Sequence, residues 1–178
     1  MSKNSLKGIN VKNVEIIKKK DTLKIFGRLG SEKIRLKYKY IIFLKKKRIF
    51  INMIEKNKFS NSLLGTYHSI IKNLVKGVNK GFKVSLAIDG LGYYAKKTKD
   101  KKILFELGFS HFKFLEIEKK INVEILEKGK RIDLLCTNNV ILGNFINKII
   151  TLRKYNLYKG KGIRFYNEEK IFKQRKKK

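Results

Sequence analysis

Two stretches of the chain carry the same helical pattern of apolar residues, 78 positions apart. Within each stretch the apolar residues recur every three or four positions, which places them on one face of an amphipathic helix. The corresponding pairs are Leu63 and Ile141, Leu64 and Leu142, Gly65 and Gly143, Tyr67 and Phe145, Ile71 and Ile149, and Leu74 and Leu152. Repetition at a fixed offset is typical of an internal duplication, so the sequence predicts two similar structural units.

Stretches with the alternation of β-strands precede each predicted helix. From Lys33 to Ile42, apolar residues alternate with basic ones, which gives a strand one buried and one solvated face. The other predicted strands cover residues 13–17, 22–27, 48–54, 82–88, 103–109, 112–117, 121–126 and 131–136. The predicted fold class is therefore α+β, with one sheet-plus-helix domain over residues 1–81 and a second over residues 82–178. Gly81 lies just past the end of the first helix.

The chain carries a formal net charge of +31, because 45 lysine and arginine residues stand against 14 aspartate and glutamate residues. Self-repulsion destabilises a compact domain with such a charge, and an anionic polymer relieves it. Nucleic acid suits this role because lysines that neutralise its phosphates release condensed counterions. Since 42% of the residues are hydrophobic, we expect a folded nucleic-acid-binding protein rather than a disordered basic tail.

The segment from Tyr158 to Arg164 is the most distinctive short motif of the chain. It alternates Lys159 and Lys161 with two glycines, which lets the backbone come close to another molecule. Backbone amides and ammonium groups would then face one anionic partner, for which phosphate is the obvious candidate. Taken alone, the motif fits a flexible basic surface turn equally well, and the charge of the whole chain favours the phosphate site.

Signs of catalysis or of a bound cofactor are weak. The outline Gly-x-Gly-x-x-Ala over residues 90–95 follows a strand, but a polar lysine-rich turn comes next instead of the helix that a dinucleotide site needs. His68 and His111 have no further ligand at metal spacing, and Cys136 ends an apolar strand like a buried thiol. We therefore expect no metal, no cofactor, no small-molecule substrate and no enzymatic activity.

Four short blocks, in the same order and at similar spacing, resemble the bacterial-type large-subunit ribosomal protein six family. They are Leu64-Gly-Thr66, Gly90-Leu-Gly-Tyr93, Gly108-Phe-Ser-His111 and Tyr158-Lys-Gly-Lys-Gly-Ile-Arg164, and the resemblance covers nearly the whole chain. It implies two domains made by duplication, each a small, largely antiparallel sheet packed with an α-helix. Arg153 to Leu157 stand where the family usually has prolines.

The resemblance also implies a function and partners. Members of this family are assembly proteins bound mainly through the C-terminal domain to large-subunit ribosomal RNA, near the sarcin–ricin loop where translation factors dock. Neighbouring large-subunit ribosomal proteins are further expected partners, and catalysis is not implied.

The residues expected to bind RNA fall into two groups, both in the C-terminal domain. Within the motif, Lys159, Lys161 and Arg164 are expected to contact phosphates, Gly160 and Gly162 to permit close backbone approach, and Tyr158 to stack on a base or sugar. Outside it, Ser110 and His111 are expected to make polar RNA contacts, with Lys96 and Lys97 as secondary contacts. The basic tail from Lys173 to Lys178 could order along phosphates or remain a disordered solubiliser.

Two other classes remain open on the residues alone: a general nucleoid-type DNA-binding protein, which the charge permits, and a small RNA-modifying enzyme.

The expected cellular location follows from composition. The chain has no proline and far more lysine than arginine, which is typical of an AT-rich genome. No presequence is visible in Met1–Val11 and no run of about 18 apolar residues could span a membrane. We expect a mitochondrial ribosome, with a plastid or an AT-rich bacterium as alternatives, and no membrane partner.

Overall fold

In a computed structural model of the chain, the described residues are 8–19, 21–36, 40–45, 48–53 and 58–173. The chain divides into two compact units, Met1–Gly81 and Phe82–Lys178. The lysine tail after residue 173 lies outside the described residues.

The N-terminal unit contains two three-stranded antiparallel sheets and one long helix. Its elements are β1 (Ile9–Asn10), β2 (Glu15–Lys19), β3 (Thr22–Gly27), β4 (Gly30–Arg35), β5 (Tyr40–Lys45), β6 (Arg48–Met53) and α1 (Lys58–Lys80). Strands β2, β3 and β4 form a meander, and β6 lies between β1 and β5 in the other sheet.

The expected single strand from Lys33 to Ile42 is two strands in the structure. Strand β4 ends at Arg35 and pairs with β3, whereas β5 begins at Tyr40 and pairs with β6 in the other sheet. The buried residue Leu36 closes the first strand by donating its amide to the carbonyl of Asp21 at 2.7 Å. Periodicity alone misses the end of β4 because the apolar–basic alternation of the sequence continues without interruption from Lys33 to Tyr40.

Within its described residues, the C-terminal unit contains a three-stranded meander, a four-stranded antiparallel sheet, one α-helix and a short 3-10 helix at Glu127–Gly129. Its elements are β7 (Phe82–Asp89), β8 (Tyr94–Lys97), β9 (Lys102–Glu106), β10 (Lys113–Glu116), β11 (Ile121–Leu126), β12 (Arg131–Cys136), α2 (Asn139–Leu152) and β13 (Gly162–Phe165). The meander is β8-β9-β10, and the sheet order is β11-β12-β7-β13.

Each unit is built on the same plan, which confirms the predicted α+β fold of two similar sheet-plus-helix domains. In both units, the strand before the helix lies at the centre of three strands. The first strand of the unit pairs with one edge of it and the strand that precedes it in sequence pairs with the other, in the orders β1-β6-β5 and β7-β12-β11. The three intervening strands form the meander in both. Strand β13 has no counterpart among the described residues of the N-terminal unit, and it pairs with β7 on the edge opposite β12.

The two helices bury corresponding residues. The side chains of Leu64, Tyr67 and Ile71 are buried in the core of the first unit, and those of Leu142, Phe145 and Ile149 in the core of the second. The paired glycines Gly65 and Gly143 face open space, since a Cβ at either position would meet no atom within 4 Å. Packing therefore requires the apolar pairs but not the glycine pair.

Helix ends follow local sequence. Asn138 is the N-cap of α2, and its side chain accepts hydrogen bonds from the amides of Val140 and Ile141. Gly81 ends α1 with φ of 73° and donates its amide to the carbonyl of Gly77 at 2.9 Å. Within the described residues, neither helix is long and apolar enough to cross a membrane.

Candidate nucleic-acid interface

The segment that follows α2 and runs to the first residue of β13 forms a closed loop, which we call the Lys–Gly loop (residues 154–162). Asn156 organises it. Its side-chain oxygen accepts hydrogen bonds from the amides of Tyr158 at 2.9 Å and Lys159 at 3.1 Å. Its backbone donates to the carbonyl of Lys161 at 2.9 Å and accepts from the amide of Gly160 at 2.8 Å. Asn156 was not among the residues expected from the sequence to shape the site, although asparagine commonly starts such turns.

These hydrogen bonds decide which groups of the loop can meet a ligand. The amides of Tyr158, Lys159 and Gly160 are satisfied inside the loop, so they do not form the anion nest expected from the sequence. The side chains of Lys159 and Lys161 are exposed, and within the described residues neither forms an ion pair. Tyr158 is 55% exposed. Lys159, Lys161 and Tyr158 therefore offer two ammonium groups and one aromatic ring to a ligand.

The two glycines of the loop permit a close approach within the protein itself. Gly160 has φ of +63°, and a Cβ there would stand 2.5 Å from the ring of Phe172. Gly162 has φ of +133°, and its Cβ would stand 2.5 Å from the carbonyl oxygen of Lys154. A side chain at either position would have a strained backbone, and at residue 162 it would also clash with fixed backbone, so Gly162 is needed for the loop to close.

Arg164, expected to contact phosphate, uses Nε and Nη1 inside the protein. Its side chain is only 10% exposed, and Nε donates to Oδ2 of Asp89 at 2.7 Å. Its Nη1 donates to the carbonyls of Phe165, Tyr166 and Glu168. These donors are used inside the protein because β13 places Arg164 beside β7, so Arg164 organises the chain that follows β13.

Asp89 is held in its charged form. Burial raises the pKa of its carboxyl, but hydrogen bonds from Lys170 and Arg164 and their positive charges outweigh burial, so the pKa lies below its usual value. Lys170 Nζ lies 2.9 Å from Oδ1 of Asp89, and Arg164 occupies the other oxygen.

Tyr93 joins two of the sequence blocks. Its ring packs directly against two glycines. A Cβ at Gly90 would stand 2.6 Å from the ring, and a Cβ at Gly108 would stand 2.7 Å from it. The guanidinium of Arg153 lies 4.7 Å from the ring centre of Phe109 and 5.8 Å from that of Tyr93. The backbone carbonyl of Arg153 also accepts from the amide of Ile163 at 3.0 Å. Arg153 therefore links the turn at residues 108–111 to the strand that follows the Lys–Gly loop.

Ser110 and His111 are both exposed at that turn. Their side chains contact each other, with 3.4 Å between Ser110 Oγ and His111 Nδ1. The ammonium group of Lys113 lies 4.0 Å from the ring centre of Phe109, and Arg153 also contacts that ring. Two cations, Lys113 and Arg153, therefore lie against Phe109, the aromatic residue next to Ser110.

Lys96 and Lys97 lie on β8, in a different setting. They line an open groove of about 460 Å³ together with Tyr94, Ala95, Ile125, Lys128 and Gly129. Lys97 Nζ donates to the carbonyl of Val123 at 3.3 Å. The lining of the groove contains no residue of the Lys–Gly loop. Lys128 is a third lysine of this groove, which sequence analysis did not identify because it lies 31 positions from Lys97.

Curated relatives identify the family. Large ribosomal subunit protein uL6 of Phytoplasma mali (strain AT) is 36% identical over 153 residues, which cover 86% of this chain and 83% of that protein. The protein of the same name from Karelsulcia muelleri (strain GWSS) is 33% identical over 88% of this chain and 87% of its own length. The chain belongs to the uL6 family. The resemblance carried by the four sequence blocks is thereby confirmed.

A shorter uL6 match has higher identity. The uL6 protein of Cytophaga hutchinsonii is 41% identical over 114 residues, which are 62% of this chain and 61% of that protein. No protein-family model matches the chain. The family assignment rests on the longer uL6 matches.

The enzyme-like motifs of this uL6 chain have structural roles. The Gly90–Ala95 outline is a turn that leads into strand β8 rather than into a helix, so it lacks the helix N-terminus that a pyrophosphate needs. Cys136 is buried, and its sulfur accepts from the amide of Asn138 at 3.4 Å. Within the described part of the chain, no three His, Cys, Asp or Glu side chains group as a metal site would require.

Proposed function

We propose that this protein is a structural component of the large ribosomal subunit that binds large-subunit ribosomal RNA through its C-terminal unit. The coarse role follows from membership of the uL6 family, whose members quoted above are named as large-subunit proteins. The finer proposal adds a location on the RNA, near the sarcin–ricin loop and the docking region of translation factors. The family resemblance supports that location, and we propose no catalytic activity.

The observation that carries RNA binding is the shape of the Lys–Gly loop. Four hydrogen bonds through Asn156 hold the loop closed, and they leave Lys159 and Lys161 exposed. Because the backbone is already ordered, binding does not have to order it, which preserves more of the attraction between lysine and phosphate. We propose that these two lysines contact phosphates and that Tyr158 stacks on a base or sugar.

Further contacts are proposed on two other segments of the C-terminal unit. Ser110 and His111 would donate or accept hydrogen bonds at the turn that Arg153 links to the loop. Lys96 and Lys97 would act as secondary phosphate contacts, helped by Lys128 in the same groove. Arg164 supports this surface from within. Recognition of this kind follows RNA shape more than base sequence.

The compartment is a separate proposal. Composition favours an AT-rich genome, for which we expected a mitochondrial ribosome first. The relatives quoted above are bacterial, and they support the alternative of an AT-rich bacterium. Sequencing the DNA that flanks the gene decides between them, since bacterial and organellar neighbouring genes differ.

The proposed function is tested by purifying ribosomes from the source cells at moderate salt and sequencing the RNA crosslinked to the protein. We expect the protein to sediment with the large subunit and the crosslinks to map to large-subunit ribosomal RNA around the sarcin–ricin loop. A protein that sediments free of ribosomes, or that crosslinks mainly to DNA, would overturn the proposal and favour the nucleoid-type alternative.

A further inference from the structure

The chain after Arg164 is fastened back onto the C-terminal unit. We call residues 165–173 the C-terminal strap. Its beginning is held by Tyr166, whose amide donates to the carbonyl of Ser85 at 2.9 Å and whose ring lies 4.3 Å from the guanidinium carbon of Arg131. Its end returns to the Lys–Gly loop, where the amide of Lys173 donates to the carbonyl of Leu157 at 3.2 Å. The strap therefore connects the sheet to the loop.

Asp89 and Arg164 fix the middle of the strap. Asp89 binds Arg164 through one carboxylate oxygen and Lys170 of the strap through the other, at 2.7 and 2.9 Å. Arg164 Nη1 donates to three strap carbonyls, the shortest bond being 2.6 Å to Glu168. Asp89 and Arg164 are only 19% and 10% exposed, so solvent screens this pair less than a surface ion pair.

The strap places an aromatic ring at the loop. Phe172 packs against Gly160, the position at which any Cβ would clash with its ring. Phe172 is nevertheless 63% exposed, and Tyr158 on the loop is 55% exposed. The nearby exposed side chains include Lys159, Lys161 and Lys173. Exposed aromatic rings among cations suit single-stranded nucleic acid, whose bases stack on rings while lysines neutralise its phosphates.

We infer that the C-terminal strap is a second wall of the RNA-binding site, in which Phe172 stacks on an unpaired RNA base and Asp89 with Arg164 is the positioning pair that holds the strap against the loop. This inference rests on the proposed function, since it requires that the Lys–Gly loop binds RNA. Phe172 is then a direct contact to RNA. Asp89, although negatively charged, strengthens the binding of the anionic RNA because it holds the strap in place.

The change in RNA affinity on removing the charge of Asp89 distinguishes the two explanations. Asp89→Asn raises the net charge of the protein by one, so attraction by charge alone predicts tighter RNA binding. The strap predicts weaker binding, because Lys170 and Arg164 lose the carboxylate that holds them. The matched control is Glu118→Gln, which removes one carboxylate from a pair with Lys148 at 2.8 Å, outside the loop and the strap. A second variant, Phe172→Ala, changes no charge and truncates an exposed side chain.

Affinity is measured with large-subunit ribosomal RNA transcribed in vitro, at one salt concentration, after melting curves have shown that each variant is folded. We expect Asp89→Asn and Phe172→Ala each to weaken binding roughly tenfold, Phe172→Tyr to restore most of the loss, and Glu118→Gln to bind as tightly as the unmodified protein or more tightly. Unchanged affinity in either Asp89→Asn or Phe172→Ala overturns the inference. If Asp89→Asn does not fold, Phe172→Ala alone decides. If the unmodified protein does not bind the RNA, the proposed function itself fails, which is a distinguishable result.

Discussion

Asp133 lies buried beneath Arg131, with Nε of the arginine 2.9 Å from Oδ1 of the aspartate. The carboxylate is 5% exposed, and Lys83 Nζ lies 3.0 Å from its other oxygen. The same arginine contacts the ring of Tyr166 in the C-terminal strap. The ion pair between the buried carboxylate of Asp133 and the partly exposed Arg131 on β12 therefore supports the surface at which the strap begins.

This pair gives the C-terminal unit a pH-dependent stability. Burial raises the pKa of the Asp133 carboxyl, but hydrogen bonds from Arg131, Lys83 and Ser85 lower it by a larger amount. The resulting pKa is about 2. Because the folded value lies below the unfolded value of 3.8, the stabilisation is complete above about pH 5 and is lost as the pH falls through 3.8 towards 2. We expect the free energy of unfolding to fall by roughly 2 kcal/mol across this window.

Acid titration of stability, followed by urea unfolding at each pH, measures this effect. Asp133→Asn serves as the control, since it lacks the titrating carboxyl and should show a smaller pH dependence in the same window. An equal pH dependence in the two proteins would assign the effect to other carboxyls.

Glycine-to-alanine substitutions should have opposite signs at two positions of the same unit. Gly162→Ala places a Cβ 2.5 Å from a backbone oxygen at φ of +133°, so we expect a loss of roughly 2 kcal/mol or more. Gly143→Ala lies within helix α2 and faces open space, so helix propensity predicts a gain of up to about 1 kcal/mol. Thermal unfolding of both variants measures the difference. Equal effects would show that the loop does not need glycine at residue 162.

Asn156 offers a test of loop shape without a change of charge. Asn156→Ala removes the acceptor for the amides of Tyr158 and Lys159, which should cost about 1 kcal/mol of stability. RNA affinity should fall several-fold although every lysine is retained, because the loop must then be ordered on binding. Filter binding at fixed salt is a suitable measurement. Unchanged affinity would mean that the lysines act as independent charges.

Local patterns predicted both helices and most strands, but not β1, β8 or the division between β4 and β5. Contacts distant in sequence determined most of the site. Asn138 as the cap of α2 follows from short-range sequence rules. The partner of Arg164 does not, because Asp89 lies 75 positions away and meets it only through pairing of β13 with β7. The same holds for Gly160, whose neighbour Phe172 comes from the strap. Composition and motif indicated a phosphate-binding surface, but they could not separate residues that face a ligand from those that support the loop.

The central claim, that a shaped loop and not net charge determines RNA binding, is tested most directly by comparing three variants. The double variant Lys159→Ala with Lys161→Ala removes two positive charges from the loop. Lys24→Ala with Lys33→Ala removes two from a cross-strand pair of exposed lysines in the N-terminal unit. Deletion of residues 176–178 removes three from the tail, which lies outside the described residues.

The measurement is the dissociation constant for large-subunit ribosomal RNA at equal salt. Our account predicts that the loop variant loses more affinity than either of the others, by roughly tenfold or more, because tail lysines must be ordered on binding and return less affinity each. If affinity instead follows the number of charges removed, so that the tail deletion loses most and the two double variants lose equally, the shaped phosphate site is contradicted.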